Sequence, residues 1–178
     1  KDSLNDLLNG KYPMNKFIIT KSLRGWYAKP QQIAHKVLAD RIAERDPGNK
    51  PSTGSRIPFA YIQTKKKEKL QGNRIETPTY IKNHNLTLDY AHYITNQIMK
   101  PVTQIFNLLL EQMSMFNKKT TLARYKKDLK IVESKYADNE KKVIEKTTAL
   151  RDKMVKKIIF DDSLRKYENA KNGQRSIS

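Results

Sequence analysis

Hydrophobic positions recur at two different spacings along this chain, and the change of spacing divides it. Before residue 82 apolar residues come in short runs broken by turn formers; beyond residue 88 they return every three, four or seven positions. Residues 3–9 can form a short helix that stops at Gly10, and Phe17-Ile18-Ile19-Thr20 is a β-branched run suited to a strand. Pro30 can open a helix at its first turn, where its missing N–H costs nothing. Ile33, Val37, Leu38 and Ile42 then share one face until Asp46-Pro47-Gly48 ends it. A loop over residues 48–55 leads into Ile57-Pro58-Phe59-Ala60-Tyr61-Ile62. This reads as an edge strand, because Pro58 cannot donate to a ladder, with Lys65-Lys66-Lys67 as its solvated end.

From Asp89, a residue suited to start a helix, Tyr90, Tyr93, Ile94, Gln97 and Ile98 keep helical spacing. Past Pro101, which should kink or interrupt the helix, Ile105, Leu108, Leu109 and Met113 continue it. Leu122, Tyr125, Leu129, Val132, Tyr136, Val143, Leu150 and Met154 then follow a heptad-like pattern with charged residues between them. A helical hairpin or long helix packing on its own domain is favoured over an intermolecular coiled coil. Tyr125 and Tyr136 are poor seam residues, and the basic outer face would repel a copy of itself. Turns are expected at residues 117–121 and at Asp138-Asn139. Six of the seven prolines and five of the six glycines precede Lys82. The fold class is therefore mainly α with a small β element: an α+β N-terminal half followed by long helices.

Charge changes this picture from fold to partner. The 178 residues include 36 Lys+Arg against 18 Asp+Glu, a formal net charge of +18. The excess is spread through residues 1–60 (+6), 61–100 (+4) and 101–178 (+8), so it is no detachable tail. Such a surface associates with polyanions, meaning nucleic acid or an anionic membrane surface. Membrane-surface binding is disfavoured, because the basic residues are not segregated opposite a Trp/Phe-rich face. No apolar run approaches the ~20 residues of a membrane span. Cysteine is absent, which excludes disulfides, thiolate metal sites and cysteine nucleophiles, and the three histidines are scattered. With Lys1 first and the first methionine at Met14, the chain is expected to be an excised or processed piece of a longer one.

Three stretches are more specific than composition. Ile18-Ile19-Thr20-Lys21-Ser22-Leu23-Arg24 followed by Tyr27 resembles the strand and loop by which family B DNA polymerases pass from palm to thumb. His35-Lys36-Val37-Leu38-Ala39-Asp40-Arg41-Ile42-Ala43-Glu44-Arg45, then Gly54-Ser55-Arg56-Ile57-Pro58-Phe59-Ala60-Tyr61-Ile62, resembles the helix, glycine loop and strand downstream of it. Tyr93-Ile94-Thr95-Asn96-Gln97-Ile98-Met99-Lys100-Pro101-Val102 is similar to the thumb helix of the delta-type branch. Order and spacing match as well, over roughly residues 12–113. The undivided Thr20-Lys21-Ser22-Leu23 and Ile98-Met99-Lys100-Pro101 forms look most like polymerases of large DNA viruses. Cellular delta-type enzymes carry cysteine clusters after the thumb and this chain has none. It also has Ser55 where the family usually has an acidic residue.

The resemblance implies a palm-to-thumb junction at residues 1–28, a thumb core at 29–116, and a long helical extension with a tail at 117–178. Partners would be primer-template duplex DNA, the palm of the same polymerase and a sliding clamp, with no membrane. The setting would be intracellular, at sites of viral DNA replication in the nucleus or a cytoplasmic factory. Two divalent metal ions, Mg, are expected in the absent palm and no cofactor in this chain. Nucleotidyl transfer needs paired aspartates holding ions about 3.5–4 Å apart, and the family's two aspartate motifs do not occur here. Asp161-Asp162, the only adjacent acidic pair, reads as a solvated feature of a charged helix. Alone, the chain should not polymerise DNA.

The resemblance points to Lys21, Ser22, Arg24, His35, Lys36, Arg41, Arg56 and Arg74 as DNA-binding residues. All but Ser22 have a plainer reading beside them: unpartnered surface charge for Lys21 and Arg24, and a salt bridge to Asp40 or Glu44 for Arg56. His35 would donate to a phosphate or simply pack, and Lys36, Arg41 and Arg45 would line a groove or pair with Glu44 or Asp40. Gln71-Gly72-Asn73-Arg74 would be a loop contact or a mobile loop. Trp26 and Tyr27 read as core or palm-facing packing, with sugar stacking as the alternative; Asn96, Gln97 and Lys100 read as structural or palm-facing. Gln174 and Ile177 fit the first half of a clamp-binding motif whose two aromatics would fall beyond Ser178, so clamp affinity should be poor. The competing function is a stand-alone basic helical adaptor that binds nucleic acid or tethers a clamp without catalysis.

Overall fold

The computed structural model describes residues 2–64, 68–109 and 119–175. The expected solvated end at Lys65-Lys66-Lys67, Met113, and Asn117 with Lys118 lie outside the described residues, as do the side chains of Leu108, Leu109 and Leu122. The chain forms two compact units, Gly10–Tyr93 and a second made of Lys1–Asn9 with Ile94–Ser178.

Gly10–Tyr93 is built on a three-stranded antiparallel sheet in the order β1 (Ile19–Ser22), β2 (Arg56–Tyr61), β3 (Ile75–Glu76). A 3-10 turn over Met14–Phe17 precedes β1, so Phe17 belongs to a turn and the strand starts two residues later than its β-branched run suggests. β1 faces the first four residues of β2, from Ser22↔Arg56 to Ile19↔Phe59, and β3 pairs with Ala60 and Tyr61. β2 is therefore the central strand, where an edge strand was expected. Pro58 is tolerated because β3 is two residues long and leaves the edge beside Pro58 uncovered. Pro30 opens a 3-10 turn, Pro30–Gln32, and the α-helix itself, α2 (Ala34–Arg45), begins after Ile33 and ends at Asp46 as expected.

The core of this unit takes Leu38 and Ala39 from α2, and Ile57, Phe59, Ala60, Tyr61 and Ile75 from the sheet. Ile81 of α3 (Pro78–Asn83) joins them, with Thr77 capping that helix by accepting from the Tyr80 N–H at 3.3 Å. Tyr93 closes the core from α4 (Tyr90–Tyr93). Its hydroxyl donates to the Phe17 carbonyl at 2.7 Å and accepts from the Tyr61 N–H at 2.8 Å. Burial pushes its phenol up to about 12. Asp89 caps α4 by accepting from the His92 N–H at 3.1 Å.

The second unit is helical: α1 (Asp2–Leu8), a π-turn over Ile94–Ile98, α5 (Met99–Leu109), α6 (Lys119–Lys135), α7 (Glu140–Lys156), a second π-turn over Lys157–Asp161, and α8 (Asp162–Arg175). The expected interruption near Pro101 takes the form of the first π-turn. Proline supplies no N–H to the preceding turn, and the wider winding lies just ahead of it. α6 and α7 pack as a helical hairpin joined at residues 136–139, where the Asn139 side chain caps α7 by accepting from the Lys142 N–H at 3.0 Å. Residues 119–121, expected as turn, are already helical. Tyr125 and Val155 form the buried centre, surrounded by Phe106, Leu129, Leu150, Met154, Ile158 and Ile159. The heptad-like stripe is thus an internal seam.

Candidate nucleic-acid interface

The end of the β1–β2 ribbon gathers five of the eight residues expected to bind DNA. Beyond Ser22 the two strands are stitched by Leu23 N–H to the Ser55 carbonyl and Gly54 N–H to the Leu23 carbonyl, both 2.8 Å. Gly54 has φ +86, a conformation that glycine adopts without strain and other residues rarely do. The next turn is fixed by Tyr27, whose hydroxyl accepts from the Arg24 N–H at 2.7 Å and lies 3.0 Å from His35 Nε2. Register places Ser22 and Arg56 opposite each other on one face of the ribbon, and Lys21 opposite Ile57 on the other. Lys21 and Arg24 lie close enough to His35 to act on its charge. Its pKa is lowered first by burial and then by Lys21, against a Ser22 backbone contact, with Arg24 adding to the fall. Lys21, Ser22, Arg24 and Arg56 are all exposed.

Acidic side chains decide which of the predicted cations remain available. Glu76, almost fully buried, takes Arg41 Nη1 at 2.6 Å and Arg45 Nη2 at 2.9 Å, and Arg41 also donates to the carbonyls of Gly72 and Ile75. Arg45 in addition stacks over the Tyr80 ring at 3.8 Å. Arg74 pairs with Asp89 at 3.0 Å and lies 3.3 Å from His92, which stacks on Tyr61. Lys36 pairs with Asp40 one turn along α2. Among the described residues no ion pair is formed by Lys21, Arg24 or Arg56, and neither Asp40 nor Glu44 reaches Arg56. Three of the eight, Lys36, Arg41 and Arg74, are thus engaged within the unit, and the cations at the ribbon end are not.

Gln71–Arg74, expected as a loop contact or mobile loop, is a 3-10 turn whose Gly72 is buried against Val37. Trp26 is 78% exposed, so it is no core residue of its unit. In the helical unit Asn96 and Lys100 line a cleft of about 360 Å3 with Asp152 and Lys156, while Gln97 is exposed. Gln174 falls in α8, and Ile177 lies outside the described residues. Among the described residues no group of three His, Asp or Glu side chains converges as metal ligands, and Asp162 is paired with Arg165 at 3.3 Å. No described helix is long and apolar enough to cross a membrane.

Glu76, which organises this region, was not singled out from the sequence, and Tyr27 takes a role there beyond the packing expected of it. The acids near Arg41 and Arg45 in sequence are Asp40 and Glu44 of their own helix, whereas Glu76 lies 35 and 31 residues away on another element. Arg41 and Arg45, four apart, share a face of α2 and so can reach one partner together. Tyr27, expected as packing, also fixes the turn through its hydroxyl.

The family model for DNA polymerase family B matches residues 1–109. The DNA polymerase of Pyramimonas orientalis virus is 44% identical over 99% of this chain and 15% of its own length. That of Acanthamoeba polyphaga mimivirus is 53% identical over 61% of this chain and 6% of its own length. The DNA polymerase delta catalytic subunit of Caenorhabditis elegans is 37% identical over 62% of this chain and 10% of its own length. The chain therefore spans a small fraction of the relatives it matches. Two viral enzymes exceed the delta subunit in identity, and with the family match covering more than half of the residues, the chain belongs to DNA polymerase family B.

Proposed function

We propose that this chain is the thumb of a replicative, viral-type family B DNA polymerase, gripping primer-template duplex through backbone and minor-groove contacts so that synthesis stays processive. The observation that carries this reading is the set of exposed, acid-free cations at the β1–β2 ribbon end, Lys21, Arg24 and Arg56. A thumb must hold duplex whatever bases pass, so its contacts belong on phosphates and sugars, which cationic loops and backbone N–H groups suit. Arg56 offers a planar fork for bidentate contact with a phosphate. On the same reading residues 1–28 join the palm, residues 29–116 form the thumb core and 117–178 extend it. The catalytic aspartates and two divalent ions belong to the palm, so the chain alone does not polymerise DNA. A sliding clamp is a further proposed partner, reached through the tail near Gln174, and the setting is the site of viral DNA replication.

Binding of a mixed-sequence duplex, followed by anisotropy across salt, tests the grip. A footprint of about five phosphates gives a log–log slope near −4.5, independent of sequence. Affinity that does not change between low and moderate salt would overturn it. In the intact polymerase, Lys21→Ala and Arg56→Ala should shorten the product made per binding event, while single-nucleotide incorporation at saturating DNA stays largely intact. Loss of the chemical step at unchanged DNA affinity counts against their assigned role.

A further inference from the structure

Of the large apolar side chains exposed among the described residues, Trp26 is the most exposed, at 78%, against 59% for Ile105 and Ile144. An indole left in water at this extent calls for a partner. Its place narrows the choice. Trp26 stands in the turn that follows Arg24, at the ribbon end where β1 carries Lys21 and β2 begins at Arg56, and this turn is not loosely held. The Arg24 N–H is tied to Tyr27 Oη at 2.7 Å, Tyr27 to His35 at 3.0 Å, and Leu23 to Ser55 and Gly54. Gly25, beside it, sits against the Thr53 side chain of the opposing loop, 3.6 Å from where a β-carbon would be. The indole is thus presented by a pinned loop, which lowers the ordering cost of using it in binding.

We propose that Trp26 is a nucleic-acid contact, its indole packing against the deoxyribose edge of the strand whose phosphates the ribbon-end cations hold. The inference rests on the duplex-grip reading and names a residue within it. The flanks carry the argument for this occupant. Arg24 on one side and Lys29 on the other are exposed, and no acidic residue lies between residues 7 and 39. A loop of this charge repels a basic protein face and attracts a polyanion. Two residues span at most ~7 Å of chain, so a cation at Arg24 and an aromatic at Trp26 can meet a phosphate and its neighbouring sugar together. Aromatic stacking is tolerant of sequence, because every nucleotide offers an apolar sugar and a base face.

Trp26 is the single tryptophan of this chain, so its emission reports the contact directly. Adding a 20-base-pair mixed-sequence duplex to the 178-residue chain should quench and shift Trp26 fluorescence in step with the anisotropy of a labelled duplex. Trp26→Ala should weaken the duplex about tenfold and Trp26→Phe about twofold. Stacking releases no counterion, so Trp26→Ala should leave the salt slope unchanged, while Arg56→Ala lowers it by about 1. Circular dichroism of each variant checks that the fold survives. If the duplex binds with its normal salt slope while Trp26 emission stays still and Trp26→Ala binds as well as the parent, this inference fails and the grip stands. If the duplex does not bind at all, the grip itself fails. A third outcome, in which Trp26→Ala lowers the melting temperature of the intact polymerase at unchanged DNA affinity, makes Trp26 a palm contact and also overturns the inference.

Discussion

Glu76 pairs with two arginines whose partners the sequence left open. Burial alone would push its carboxyl up; hydrogen bonds from Arg45 and Arg41 and their charges outweigh that, and its pKa is lowered. A carboxylate held low in the folded state stabilises above its unfolded pKa of ~4.3 and loses that contribution as pH falls through the lower folded value. Glu76→Gln should therefore destabilise the chain by about 2 kcal/mol at neutral pH. This is below the ~3–5 kcal/mol of fully buried pairs because Arg45 keeps more than a third of its side chain exposed. Urea denaturation from pH 7 down to 3 should show the gap closing on the acid limb, and a gap constant over that range would contradict this account. Residue identities were only partly legible beforehand. Asp89 as a helix cap follows from its type and position. Glu76 as the partner of Arg41 and Arg45 depends on β3, a two-residue strand with too little pattern to read.

Among elements, the approach of the Gln71–Arg74 turn to α2 depends on a missing side chain. A β-carbon on Gly72 would sit 2.6 Å from Val37 Cβ and 2.8 Å from its Cγ1, inside any contact distance. Gly72→Ala should cost about 1–3 kcal/mol by overpacking, and in a double-mutant cycle Val37→Gly, which removes the clashing β-carbon with its methyls, should recover part of that loss, with a coupling of ~1 kcal/mol or more. Purely additive stabilities would show that the turn shifts freely away from α2. The long helices were legible, since Tyr125, Leu129, Leu150 and Met154 fall at seam spacing and do surround one core. Both π-turns were not, because one extra residue per turn leaves no mark in a hydrophobic pattern beyond the nearby Pro101. Nor was the central place of β2, since a proline says which edge is uncovered only once the length of the neighbouring strand is known.

At the scale of the molecule, the charge of +18 divides almost evenly. Residues 10–93 carry 16 basic and 6 acidic side chains, and the remainder 20 and 12. The gross count of 36 cations overstates what a polyanion can use, because Asp40, Glu76 and Asp89 already engage Lys36, Arg41, Arg45 and Arg74. The division of the chain has a further side, which concerns time. Gly10–Tyr93 is an insertion in sequence, and the helical unit is completed only when α1, at residues 2–8, packs on α8, at residues 162–175. Loop closure over such a span adds little to the equilibrium cost, since that entropy grows with the logarithm of length. It delays the contact, however: during synthesis the inserted unit emerges whole while α1 still waits for a partner made more than a hundred residues later. Ribosome-bound chains exposed as far as residue ~130 should then yield a protease-resistant Gly10–Tyr93 core, with cleavage within residues 2–9. Equal digestion of both until α8 appears would mean that the two units fold together. Vectorial synthesis thus orders the assembly, and the β1–β2 ribbon is finished before the helices that follow it in the chain.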